Sequence, residues 1–237
     1  MVAFDKDGTL IDFEFMWGRL AVAWVEHLTA EGGDKELQRD LYRSLGYESG
    51  KKRTLPRSPL AIATTAQLQA IAAVTLYRHG IPWPDSEDRV RRAFETGTGL
   101  PLASLIRPEG DVLGLMERLQ DSAVRVAVVT TDSRVETEET LRIMGIAHLV
   151  DCTVCGDDGL RTKPAPDMLQ AACTRLGVEA IHTAVVGDTI ADLLMAERAG
   201  AGLKVAVLTG AGDPELLGRY ADAVLGSAEE IRVGGLP

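Results

Sequence analysis

Val2, Ala3 and Phe4 form a short apolar run with the texture of a buried parallel strand, and the run stops at Asp5. Asp7-Gly8 then signals a turn. Two carboxylates therefore stand where a strand leaves its sheet. Side chains two apart on a strand share a face, so the spacing predicts that Asp5 and Asp7 converge on one small volume. Carboxylates held that close repel, and one keeps a proton unless a cation relieves the pair. The stretch predicts a divalent-metal site or an acid/base pair, with an ordinary surface turn as the plain alternative.

The same punctuation returns three more times. The apolar run 126–129 ends in Thr130-Thr131-Asp132, and Thr162-Lys163-Pro164-Ala165-Pro166-Asp167 lies beyond Cys155. The run 184–186 ends in Gly187-Asp188-Thr189-Ile190-Ala191-Asp192. Each has a bland reading taken singly: Thr, Ser and Asp cap helices, acidic residues suit a first helical turn, and Lys163 could be solvated. Between these runs the apolar pattern is helical over 110–119, 134–144, 166–176, 190–199 and 215–220. Strand patterns fall at 124–129, 149–155, 184–186, 203–208 and 221–225. Strands alternating with helices predict an α/β fold, a Rossmann-like doubly wound parallel sheet. Ligands of such sheets bind outside the carboxyl ends of the strands, where all four polar segments lie.

The block from 13 to 104 is different: helical and poor in strands. Trp17, Leu20, Ala21, Trp24, Val25 and Leu28 recur at helical spacing, a stripe that reads as core. Gly32-Gly33 interrupts it, and a shorter helix follows over 34–45. Ser58-Pro59 opens a helix over 60–77, closed by Gly80, and another runs over 85–96. Gly97, Gly99 and Pro101 form the return connection. The expected organisation is a sheet domain over 1–13 and 104–237, interrupted by an all-helical insertion over 14–103.

Composition narrows the function classes. The 237 residues carry 25 lysines and arginines against 35 acidic residues, a net charge of −10, which argues against a nucleic-acid partner. No apolar run approaches the roughly 20 residues of a membrane span, so no membrane partner is expected. Three cysteines are an odd number for a disulfide framework, and a reducing cytoplasm is the expected location. Cys152 and Cys155 form a C-x-x-C with no second pair, and with Cys173 they read as ordinary buried thiols. His27, His79, His148 and His182 have no ligand spacing among them.

Taken together and in order, the four segments resemble the motifs of the haloacid dehalogenase (HAD) superfamily, and specifically its aspartate-nucleophile phosphatases. Asp5-Lys6-Asp7-Gly8-Thr9 resembles D-x-D-x-T, and Thr130 the hydroxyl residue of the second motif. Lys163 matches the third motif's lysine, and the stretch from Gly187 to Asp192 matches G-D-x-x-x-D. The insertion resembles the C1 cap of the phosphoglycolate phosphatase-like branch, by texture only. The resemblance implies Asp5 as nucleophile, forming an aspartyl-phosphate, and Asp7 as general acid and base. It implies Mg²⁺ held by Asp5, the Asp7 backbone carbonyl and Asp188, with Asp192 as ligand or support. Lys163 and Thr130 would bind phosphoryl oxygens, and backbone N–H groups around Asp7 and Gly8 would complete the cradle.

The implied activity is Mg²⁺-dependent hydrolysis of a small phosphorylated metabolite. A phosphomutase using the same intermediate is the alternative, and a non-catalytic binding protein on this fold is a third reading. Asp7 favours phosphoryl chemistry over carbon–halogen cleavage, because the dehalogenases lack the second aspartate. Lys51, Lys52, Arg53 and Arg57 are candidates for an anionic leaving group, against the alternative of a solvated basic loop.

Overall fold

In a computed structural model of the chain, the described residues are 1–30, 34–95 and 99–234. The expectations placed on Gly32, Gly33, Thr96 and Gly97 lie outside them. The chain divides into two compact units, Met1–Phe13 with Ile106–Pro237, and Glu14–Leu105.

In chain order, β1 (Val2–Phe4) precedes the second unit, which begins with a π-helical turn, Glu14–Gly18. Then come α1 (Arg19–Thr29), α2 (Lys35–Leu45), β2 (Tyr47–Glu48), β3 (Arg53–Thr54), α3 (Pro59–Ile62), α4 (Thr65–Arg78) and α5 (Trp83–Glu95). The first unit resumes with α6 (Val112–Asp121), β4 (Val126–Val129), α7 (Arg134–Ile143), β5 (Cys152–Val154) and α8 (Asp167–Leu176). It ends with β6 (Ala184–Gly187), α9 (Ile190–Ala199), β7 (Leu203–Val207), α10 (Pro214–Tyr220) and β8 (Ala223–Leu225).

The first unit is a six-stranded sheet in the order β5-β4-β1-β6-β7-β8, with every pairing parallel. Alternate residues of β1 and its neighbours feed two separate cores, as the strand period of two requires. Val2, Phe4, Val126, Val128 and Val186 pack on one face with Val112, Leu115, Met116 and Leu119 of α6. Ala3, Ala127, Val129 and Val185 pack on the other with Met168 and Leu169 of α8 and Met195 of α9. A sheet covered on both faces has to be apolar throughout, which explains why β1 and β4 carry no polar residue.

Register then places the site. Phe4 pairs with Val128 on one side and Val186 on the other, so the strands beside β1 end level with it. Asp5, Thr130 and Asp188 leave the sheet at one rim. Phe4 holds this register and is fully buried. Phe4→Ala is expected to cost about 3–5 kcal/mol, read as a lower urea midpoint with an unchanged slope.

The second unit has its own core. The α1 stripe buries Ala21, Trp24, Val25 and Leu28, and Trp24 stacks on Phe94 at 4.0 Å between ring centroids. Two expectations need correction here. The insertion is not all-helical, because β2 and β3 pair antiparallel through Tyr47↔Thr54 and Glu48↔Arg53. The helix expected over 60–77 is two helices: Ala63 is extended, and Thr64 caps α4 in a reciprocal capping box with Gln67.

In the first unit, the strand expected over 149–155 is shorter, with a 3₁₀ turn at Ala147–Leu149 before β5. Cys155 and Cys173 are buried, Cys152 is half-buried, and all three are free thiols. Among the described residues, no helix is long and apolar enough to cross a membrane.

Candidate active site

β1 ends at Phe4, and the chain turns at once instead of staying extended. Leu10 and Ile11 donate their N–H groups to the Lys6 carbonyl, and Gly8 donates to the Ile11 carbonyl at 2.8 Å. Gly8 sits at φ +81, where a side chain is strained, and a Cβ there would fall 2.6 Å from Asp188 Oδ2. Glycine is what lets this turn close on Asp188. The Gly8 N–H is thus engaged within the turn.

The turn also gives Asp5 and Asp7 different partners. Once the strand stops, the alternation that would aim both carboxylates one way no longer applies. Asp5 Oδ1 accepts from Lys163 Nζ at 2.5 Å, whereas Asp7 Oδ1 faces Lys6 Nζ at 2.6 Å. The two carboxylates thus belong to adjacent ion-pair systems, and the charge of Asp7 still pushes the Asp5 carboxyl up.

Lys163, on the loop before α8, bridges the end of β1 and the first turn of α9. Its ammonium donates to Asp5 and, at 2.6 Å, to Asp192 Oδ1. Asp192 is fixed from the other side by α9's own start. Its Oδ2 accepts from the Thr189 N–H at 3.1 Å and the Thr189 hydroxyl at 2.5 Å, a capping box at that helix N-terminus. Asp188 lies one strand end away: the Ala211 N–H donates to its Oδ2 at 3.1 Å and the Thr9 hydroxyl approaches its Oδ1 at 3.5 Å. Gly210 makes room for it, since a Cβ there would fall 1.8 Å from Asp188 Oδ2.

Carboxylate oxygens of Asp5, Asp188 and Asp192 lie within 4.8 Å of one another, and Asp188 and Asp192 are each 1% exposed. Lys163 pairs with two of the three, Asp5 and Asp192. Burial raises the Asp5 carboxyl, Lys163 pulls it back and Asp192 pushes it up again, leaving it at about 7. Asp188 is raised too, by burial and then by the charges of Asp5 and Asp192. These groups hold more negative charge than their surroundings balance. An all-oxygen donor set with that deficit fits a hard divalent cation.

Thr130 is buried, and its hydroxyl oxygen accepts the Asp132 N–H at 3.2 Å, while Thr131 is exposed. Two residues escaped the sequence reading. Lys6 is 1% exposed and bridges Asp7 and Asp132 Oδ2, each at 2.6 Å. Burial disfavours its charge, but the two carboxylates outweigh that and hold the ammonium charged. Thr209, after β7, donates its hydroxyl to the Gly8 carbonyl at 2.6 Å. The polar, glycine-rich end of a strand run, Thr209-Gly210-Ala211, was the signal that could have found it.

Other polar clusters have ordinary partners. Cys155, Asp157 and Asp158 lie together, but Arg134 and Arg175 both take Asp158. In the second unit, Lys51 and Arg53 pair with Glu48.

The haloacid dehalogenase-like hydrolase family matches residues 1–200. A validoxylamine A 7'-phosphate phosphatase of Streptomyces hygroscopicus subsp. limoneus is 36% identical over 118 residues, 50% of this chain and 54% of that protein. The chain thus spans about half of that relative's length. A plasmid phosphoglycolate phosphatase of Cupriavidus necator is 30% identical over 76% of this chain and 72% of its own length. Among solved structures, a HAD family hydrolase from Deinococcus radiodurans R1, with bound phosphate and sodium, superposes with a TM-score of 0.67. That match has 21% identity and covers 96% of this chain and 90% of the other. Sequence, fold and the meeting of four strand ends agree: the chain belongs to the haloacid dehalogenase-like hydrolase family.

Proposed function

We propose that the protein is a Mg²⁺-dependent phosphatase that hydrolyses a small phosphorylated metabolite through an aspartyl-phosphate on Asp5. The observation that carries this reading is the Lys163 ammonium between Asp5 and Asp192, with Asp188 in the same cluster.

Asp5 attacks phosphorus with a carboxylate oxygen, and the bond to the leaving oxygen breaks. Asp7 supplies the proton that the leaving oxygen takes up, then removes one from the water that hydrolyses the phosphoenzyme. Thr130 donates its hydroxyl to a phosphoryl oxygen, and Lys163 neutralises another while fixing Asp5. Asp5, Asp188 and the Asp7 backbone carbonyl are assigned to the metal. Asp192 is assigned to support, because its two oxygens are engaged by Lys163 and Thr189. When bound, Mg²⁺ supplies the further positive charge that offsets repulsion between carboxylate and phosphate dianion.

Phosphate release from an aryl phosphate and a panel of phosphorylated metabolites tests the proposal. Release is expected with Mg²⁺ and not with chelator. Isomerisation of a sugar phosphate without net release would overturn it.

The metal assignment has a separate readout in stability. A carboxyl whose pKa rises on folding contributes stability below its unfolded value and loses it as pH climbs through the folded value. Asp5 goes from 3.8 to about 7, and Asp188 moves the same way. Chelated protein is therefore expected to lose thermal stability as pH rises from about 4 through about 7. Mg²⁺ at a hundredfold excess over its Kd should restore about 2.7 kcal/mol, or roughly 5–10 °C. Calorimetry on either side of neutrality, with and without Mg²⁺, checks both.

A further inference from the structure

A lysine on the sheet side of a strand-end turn would ordinarily be a solvated side chain, yet Lys6 is 1% exposed. Its ammonium is spent on two carboxylates from different strand ends, Asp7 beside it and Asp132 after β4, each at 2.6 Å. Asp132 is itself fixed. Its N–H donates to the Thr130 hydroxyl at 3.2 Å, and its carbonyl accepts from Gly156 at 2.7 Å. The chain from Thr130 to Asp132 is thus an anchored post, and Lys6 ties the Asp7 carboxylate to it.

Lys163 holds Asp5 to α9 on the other side of the same turn. The turn therefore carries two ammonium struts, one for each aspartate: Lys6 pairs with Asp7 and Asp132, and Lys163 with Asp5 and Asp192.

We propose that Lys6 is a positioning residue: it aims the Asp7 carboxylate at the leaving-group oxygen by tying it to Asp132. The assignment rests on the phosphatase reading, in which the P–O bond to the leaving group breaks as the Asp5–phosphorus bond forms. The electron pair goes to the leaving oxygen, which takes the proton of an Asp7 carboxyl protonated from solvent, and the carboxylate left behind is the form that the Lys6 ammonium pairs with. A mis-aimed Asp7 harms that transfer only where the leaving group needs a proton. Alkoxides need one and nitrophenolate does not.

The test compares kcat/KM for an alkyl phosphate and for 4-nitrophenyl phosphate, because that ratio reports the phosphoryl-transfer step for both. Lys6→Met keeps the length and apolar stem of the side chain and removes the ammonium. It is expected to lower kcat/KM for the alkyl ester by roughly 30-fold or more, a fraction of what a placed acid supplies, and for the aryl ester by less than about threefold. The Lys6→Met/Asp7→Asn double variant is expected to lose no more on the alkyl ester than Asp7→Asn alone, since both act through one carboxyl. Asp132→Asn, at a half-exposed position, cuts only the far anchor and keeps the experiment readable should Lys6→Met fail to fold. It is expected to show the same leaving-group bias at smaller size.

Equal losses on both esters, or additive losses in the double variant, would overturn the positioning role while leaving the phosphatase reading intact. Wild-type protein that turns over neither ester with Mg²⁺ would overturn that reading and this inference together.

Discussion

Asp5→Asn is expected to lower phosphate release by roughly 10⁴-fold or more, the scale on which removal of a covalent nucleophile is felt. The substitution keeps the shape of the side chain and removes its charge. It leaves Lys163 with Asp192 as a partner, so the bridge is halved and not lost. Stability should move the other way. A carboxyl raised to about 7 is costly to keep ionised, and an amide avoids that cost above neutrality. The variant should therefore match or exceed the thermal stability of chelated wild type above about pH 7, while being inactive. That pairing separates a lost nucleophile from a misfolded protein. Residual activity within about tenfold of wild type would contradict the assignment of Asp5.

Lys163→Met should cost both activity and stability. Lys163 is the ammonium that Asp5 and Asp192 share, with side-chain exposures of 4%, 12% and 1% respectively. Removing it leaves buried carboxylates without their partner, a loss on the order of 3–5 kcal/mol. Activity is expected to fall by roughly 10²–10³-fold, the usual effect of deleting one preorganised charge at a developing anion. Low pH should return part of the stability, because protonation relieves the same repulsion. Lys163→Arg should not rescue activity, since a planar guanidinium fork does not reproduce a point charge between two carboxylates. Urea unfolding at two pH values, alongside steady-state assays, reads all three effects.

Much of this site was legible before the fold was known, and the reason is physical. A strand buried on both faces tolerates almost nothing polar, so β1, β4 and β6 announce their own ends at Asp5, Thr130 and Asp188. Strand order was not legible, and with it went Lys6. Strand alternation puts Lys6 on the face opposite Asp5, where a lysine reads as solvated. Its partner Asp132 comes into reach only because β4 is β1's neighbour, with Phe4 level with Val128. The closure of the turn at Gly8 was hidden for a related reason. Asp-Gly signals a turn, but which carbonyl its N–H meets depends on how the turn closes, and it closes on Ile11. In the second unit, a two-residue hairpin is too short to leave a period in the sequence.

The central claim is that a phosphoryl group is transferred to Asp5, and trapping that species tests it most directly. Protein quenched in acid during turnover with Mg²⁺, then reduced with borohydride, converts an aspartyl-phosphate to homoserine. Peptide mass spectrometry should find homoserine at position 5 in the wild type, in proportion to turnover, and none without substrate. Steady phosphate release with no homoserine at position 5, or with the modification on another aspartate, would contradict the account.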